Sequence, residues 1–221
     1  MAASNGSGMV AAEPAPGRIP DWLRWAALIW LLIWFPAYWR TWGAANFLQL
    51  CDLAVILTSI GLWSNSALLI SSQAISSLLI DLVWALDAGW RFFLGRHLIG
   101  GTEYLFDRHY PVWVRLLSLF HVLLPLLLLW ALVRIGYDRR GFRLQCAIAF
   151  VALLACRFTS PQKNMNFAFR DPFLHRPWGP SPIHLAISIL VLAIAVYLPT
   201  HLLLRTLFAP AVPCEDGLAE K

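Results

Sequence analysis

Residues 110–133, YPVWVRLLSLFHVLLPLLLLWALV, form an apolar run interrupted by Arg115, Ser118, His121 and Pro125. The run exceeds the roughly 20 residues that a helix needs to cross about 30 Å of hydrocarbon. At 100° per residue the four interruptions fall within one arc of about 120°, so a helix here is lipid-compatible on most sides and polar along one stripe. That stripe must face protein. An Arg at a helix centre costs roughly 2.5–3.5 kcal/mol on insertion scales, and an intramembrane His needs partners.

The rest of the chain has the same character. Of 221 residues, 59% are apolar and 13% charged, and the mean hydropathy is +0.65. This composition predicts an all-α, polytopic membrane helix bundle. Six crossings of about 20 residues consume about 120 residues and leave no room for a separate soluble domain. The net charge of +5 is carried almost wholly by Arg at predicted helix ends. No contiguous basic face alternates with exposed aromatics, so headgroup anchoring is expected and nucleic-acid binding is not. Membrane lipids are the expected partners, and a homo- or hetero-oligomer is compatible with the composition. Cys51, Cys146, Cys156 and Cys214 lack CxxC spacing and read as packed free thiols.

Residues 1–20, rich in Ala, Gly, Ser and Pro, read as a disordered tail, 21–208 as the bundle, and 209–221 as a disordered acidic tail. Expected spans run from Trp22 to Trp39, Asn46 to Trp63 and Ala67 to Gly89, then along the opening stretch, from Leu144 to Phe158 and from Pro182 to Leu207. Span 2 places Asn46, Gln49, Asp52 and Ser59 within about 140° of helix circumference, with Cys51 pointing away. On span 3, Ser66, Gln73, Ser77, Asp81, Trp84 and Asp87 share about 120°. Helices bearing three such stripes must be neighbours. Residues 90–111 and 160–181 are too polar to span and too aromatic for simple solvated loops, which predicts two interfacial or re-entrant segments on one face.

Six crossings put both termini on one side. The basic loop RIGYDRRGFR, residues 134–143, favours a cytoplasmic location for itself and for both termini in a cell membrane. In either orientation Asp52, Asp81, Asp87, Arg115, His121, Arg157 and His184 fall in the membrane half facing the two covering segments.

Catalytic and cofactor signatures are absent: there is no GxSxG, HExxH, GxxxxGK[ST] or dinucleotide fingerprint, and the His spacing suits neither di-iron nor haem sites. No cofactor and no metal are implied. His121 is the strongest candidate for chemistry, because an imidazole beside a carboxylate moves protons near neutral pH. The alternative is an interhelical hydrogen bond. Asp52 and Asp81 are costly as isolated ions and are expected to be protonated or paired; either one can orient His121. Arg115 is the expected cationic partner or headgroup ligand. Gln49, Gln73, Asn164 and Asn166 are candidate substrate contacts, with loop hydrogen bonding the alternative for the two Asn residues.

The segments CDLAVILTSIGLW, LLIDLVWALD, GGTEYLFD, RLLSLFHVLLPLLLLW and RIGYDRRG, the Asn-Met-Asn run and YLPTHLLLRTLF span residues 45–208. They resemble a group of bacterial multi-pass membrane-associated proteins to which no activity is attached. NFLQLCDL and the His121 to Pro125 interval are also similar to segments of the androgen-induced membrane hydrolases, Thr/His enzymes that cleave fatty acid esters of hydroxy fatty acids. Gln49 stands where that resemblance places the nucleophilic Thr, and the His-to-Pro interval is one residue shorter. The likeness thus implies an acid/base role for His121 and leaves the attacking group unnamed, water included. The expectation is a lipid-directed hydrolase or transferase. The alternatives are a non-enzymatic subunit of a membrane complex and a small transporter or proton relay; the sequence shows no inverted repeat for the last.

Overall fold

The computed structural model describes residues 17–208. Both expected tails lie outside the described residues except for 17–20, as does Cys214. Ile19 is 1% exposed, and its N–H donates to Asn65 Oδ1 at 2.9 Å. The packed body therefore reaches back past the boundary expected at residue 21.

Every regular element among the described residues is helical. In chain order these are α1 (Asp21–Trp42), a 3-10 turn (Ala44–Leu48), α2 (Leu50–Ser64), α3 (Ala67–Leu94), α4 (Glu103–Phe106), α5 (Val112–Leu117), α6 (Phe120–Ile135) and α7 (Gly141–Cys156). A 3-10 turn (Met165–Phe167), α8 (Ser181–Val191), a π-helical segment (Leu192–Tyr197) and α9 (Leu198–Leu207) follow. Among the described residues three stretches are long and apolar enough to cross a membrane: Ala67–Leu94, Val112–Ile135 and Ser181–Leu207. The apolar helices α2 and α7 are shorter, at 15 and 16 residues.

The ends of α3 follow from local chemistry. Ser66 caps its start by accepting from the Leu69 N–H at 3.3 Å, and Gly95 ends it in the left-handed region at φ 75°. The helix runs five residues beyond the expected Gly89 into the stretch read as interfacial. It is also the centre of the bundle. Residues 70–77 are buried without interruption, which requires neighbours on every side, and α2, α6 and α7 supply them. Close approach to α7 needs a small residue: a Cβ on Gly141 would sit 2.8 Å from Ser71 Cβ and 2.9 Å from Ser72 N.

The stretch 110–133 is not one uniform helix. Between α5 and α6 the bonds shorten to the i to i−3 pattern, from Ser118 N to Arg115 O at 3.1 Å and from His121 N to Ser118 O at 3.2 Å. Pro125, lacking an N–H, leaves the His121 carbonyl without its intrahelical donor. His121 is therefore held in a locally tightened and then interrupted turn. Span 2 also differs from expectation. Gln49 is extended at ψ 133°, so Asn46 lies in a 3-10 turn and Gln49 at a break, and neither belongs to the helical stripe of Asp52.

Candidate functional site

His121 on α6 is 6% exposed, and its Nδ1 lies 2.7 Å from Oδ1 of Asp81 on α3. With Asp81 as carboxylate, Nδ1–H donates, and Nε2 carries the lone pair. Among the described residues Nε2 makes no hydrogen bond, and His121 lines a cavity. The imidazole lies between two aromatic faces, Trp84 at 4.6 Å between centroids and Phe120 at 4.2 Å, both near parallel. Those faces fix the ring. Trp84 is itself held, donating from Nε1 to Tyr104 OH at 3.1 Å. Burial keeps the Tyr104 phenol above its ordinary value, so it remains a neutral donor.

The cavity beside this pair has a volume of about 260 Å³, and Gln49, Ser77, Asp81, Tyr104, His121 and Asn166 line it. Two buried atoms on its wall have no partner, Asp81 Oδ2 and Ser77 Oγ. Most helical hydroxyls of the bundle bond back to a carbonyl three or four residues earlier, as Ser59, Ser64, Ser188 and Thr200 do. Ser77 does not, and it lies one turn before Asp81 on the same face. The π-helical segment closes another wall through Leu192 and Tyr197.

Asp52 sits next door. It accepts from Asn46 Nδ2 at 2.5 Å, makes only a 4.0 Å contact with the Cys51 thiol at Oδ1, and has no hydrogen bond to His121. Of the two carboxylates expected to orient the imidazole, Asp81 does so. Asp52 lines a second cavity of about 400 Å³, separated from the first by shared walls at Gln49, Cys51, Gly101 and Tyr104. Cys51, expected to point away from the polar arc, is thus on the wall of both. Cys51, Cys146 and Cys156 are free thiols.

The two covering segments are fastened by side chains. Oδ1 of Asp87 accepts the N–H groups of Leu98, Ile99 and Gly100 at 2.7–3.0 Å, and its Oδ2 takes His97 and the Thr102 hydroxyl. This carboxylate is consumed in holding the loop. In the second segment Asn166, in the left-handed region at φ 49°, accepts from Leu50 N at 3.0 Å and donates to Leu48 O at 2.6 Å, capping the start of α2. Gln49 Oε1 accepts the Asn166 N–H at 3.2 Å. Trp178 N–H donates to His184 Nδ1 at 3.2 Å, so Nε2–H of His184 donates to Phe167 O at 3.0 Å. Arg157 reaches Ala168 O and Ser181 Oγ. His184 and Arg157 are therefore loop fasteners.

Three expected contacts lie elsewhere. Arg115 pairs with neither carboxylate: its Nη1 donates to Leu105 O at 2.9 Å, and with Trp84 it lines a separate apolar cavity that His121 does not line. Gln73 donates to Ser72 Oγ at 2.8 Å and lies two turns of α3 from Asp81, about 12 Å along the axis. Asn164 is used within its own loop, donating to Arg170 O and accepting from Phe169 N and Arg170 N. Trp84 and Tyr104 form site walls; periodicity places Trp84 on the arc of Asp81, whereas Tyr104 lies three residues after Gly101 in a stretch with no helical stripe to single it out. Among the described residues no three His, Cys, Asp or Glu side chains converge in a metal-binding group. No family model, curated protein or solved structure matches the chain.

Proposed function

We propose that the chain is an integral membrane protein of six crossings that acts as a lipid-directed hydrolase or transferase, with His121 as general base and Asp81 as the group that orients it. The observation that carries this reading is a buried imidazole tied to a carboxylate through Nδ1 on the wall of a cavity, with no hydrogen bond at Nε2 among the described residues. A pair formed only for assembly has no need of an open cavity or of the unpartnered Asp81 Oδ2 and Ser77 Oγ beside it. In hydrolysis, water attacks an ester carbonyl, Nε2 takes the water proton, and the resulting imidazolium returns it to the departing alkoxide. Asp81 keeps the imidazole in the required tautomer and stabilises its charged form.

Six crossings fit the outward surface. Large apolar side chains point away from the bundle on α1 (Ile29, Leu32), α6 (Leu123, Leu126), α7 (Phe150, Val151) and α8 (Ile183, Leu190), an apolar belt that water would not tolerate. Helices α2 and α7 reach only about 22 and 24 Å at 1.5 Å per residue, short of about 30 Å of hydrocarbon. The segments 95–111 and 157–180 fill the depth left over on that face, in a re-entrant or interfacial position. The basic loop after α6 then lies with both termini on the cytoplasmic side of a cell membrane.

The test is His121→Gln in the purified full chain, assayed against fluorescent acyl-ester lipids in mixed micelles. The variant should stay monodisperse and lose turnover. Turnover at the parent level would exclude the general-base role. Loss of monodispersity, with no turnover by the parent, would favour a structural subunit.

A further inference from the structure

The second cavity, of about 400 Å³, is lined by Tyr38, Trp42, Tyr104, Tyr110, Asp52 and Lys163, among others. Trp42 is the hub of the aromatic group, with ring centroids 4.5 Å from Tyr38, 6.0 Å from Tyr104 and 5.5 Å from Tyr110. Four electron-rich rings thus surround a space whose volume falls within the ordinary range for small-molecule sites. On its wall is Asp52, 2% exposed, with no ion-pair partner among the described residues. A carboxylate so buried requires a cation or a proton to offset its desolvation. The four rings that line the same cavity favour the cation, because ring quadrupoles attract positive charge, and a large, weakly hydrated ammonium gives up little hydration on entering.

We propose that this cavity binds a quaternary ammonium group, the trimethylammonium end of a choline-type headgroup, with the rings of Tyr38, Trp42, Tyr104 and Tyr110 around the methyls and Asp52 opposite the charge. Lys163 sits exposed at the rim, its Nζ donating to Trp42 O at 3.3 Å. An ammonium there opposes a free cation but suits the phosphate of a zwitterionic head, which trails the trimethylammonium group by two carbons. The walls shared with the His121 cavity put such a head beside the proposed general base. The assignment names the substrate class for the lipid-directed reading and rests on it, while the binding itself is measured without turnover.

The test uses the full chain in a maltoside detergent, with choline and its uncharged isostere 3,3-dimethylbutan-1-ol as probes in calorimetric titrations. Saturable binding of choline, with at least tenfold weaker binding of the isostere, is expected. Asp52→Asn and, at the half-buried rim, Tyr110→Leu should each weaken choline binding at least tenfold, whereas His121→Gln should leave it unchanged. Should Asp52→Asn not fold, Tyr110→Leu and Trp42→Leu decide. Equal binding of the isostere, or parent-like binding by the cage variants, overturns the assignment. A second arm replaces choline with dodecylphosphocholine. Tighter binding of that amphiphile than of choline, reduced by Lys163→Ala, identifies a lipid head as the source; equal binding identifies a free ammonium compound. Loss of turnover in His121→Gln with no choline binding would leave the catalytic reading standing and remove this one.

Discussion

His121 Nδ1 and Asp81 Oδ1 meet at 2.7 Å across the α3–α6 interface, forty residues apart in the chain. The contact joins two polar stripes that neither helix can expose to lipid, on the wall of a cavity that both residues line.

Asp81→Asn separates orientation from bulk. An amide at this position can donate to Nδ1, which moves the ring proton to Nε2 and removes the base. Turnover should fall at least about 100-fold, the scale of general-base contributions, with little change in KM. Parent-like kcat in a steady-state assay would show that Asp81 only packs the helices.

Gly141→Ala tests the close α3–α7 contact. The added methyl would stand 2.8–3.0 Å from Ser71 and Ser72 atoms, two of them backbone, which cannot step aside cheaply. Overpacking of this kind costs about 1–3 kcal/mol. A lowered midpoint in thermal unfolding in detergent is expected, with Gly141→Val more severe; an unchanged midpoint would show that the helices can part.

Asn166 combines a left-handed backbone with a helix cap, and two substitutions separate the roles. Asn166→Gly retains the backbone freedom and loses the cap at Leu50 N, for about 1 kcal/mol. Asn166→Ala adds backbone strain of about 1 kcal/mol to that loss. Chemical denaturation should rank parent, Gly, Ala in falling stability. Parity of Gly with the parent would deny the cap.

Asp171, in the second covering segment, links that loop to pH. Burial opposes its charge, but the N–H groups of Leu174, Phe173 and Arg176 outweigh the burial and hold the carboxyl below its ordinary value. A carboxyl lowered on folding contributes stability above its unfolded pKa and loses it as pH falls through the folded one. Protection factors for the amides of residues 171–178, corrected for intrinsic exchange, should therefore fall on acidification below the ordinary carboxylate range, and Asp171→Asn should abolish that fall. Acid-insensitive protection in the parent would rule out the linkage.

Hydropathy and periodicity were enough to specify an all-helical chain, the approximate positions of the helices and the face each polar stripe must turn inward, because lipid penalises an unpaired polar group wherever the helix places it. They also singled out His121 and Asp81, which the structure brings within hydrogen-bond distance. Periodicity failed where the helix itself failed: Gln49 and Asn46 left the stripe of Asp52 because the backbone is extended at Gln49, and Cys51 came onto a cavity wall. Choosing Asp81 over Asp52, separating Arg115 from the cavity of His121, and bringing four aromatic rings and Asp52 to one cavity depended on which helices pack together and at what height. Those distances join residues tens of positions apart through side-chain packing, and no local pattern along a single helix encodes them.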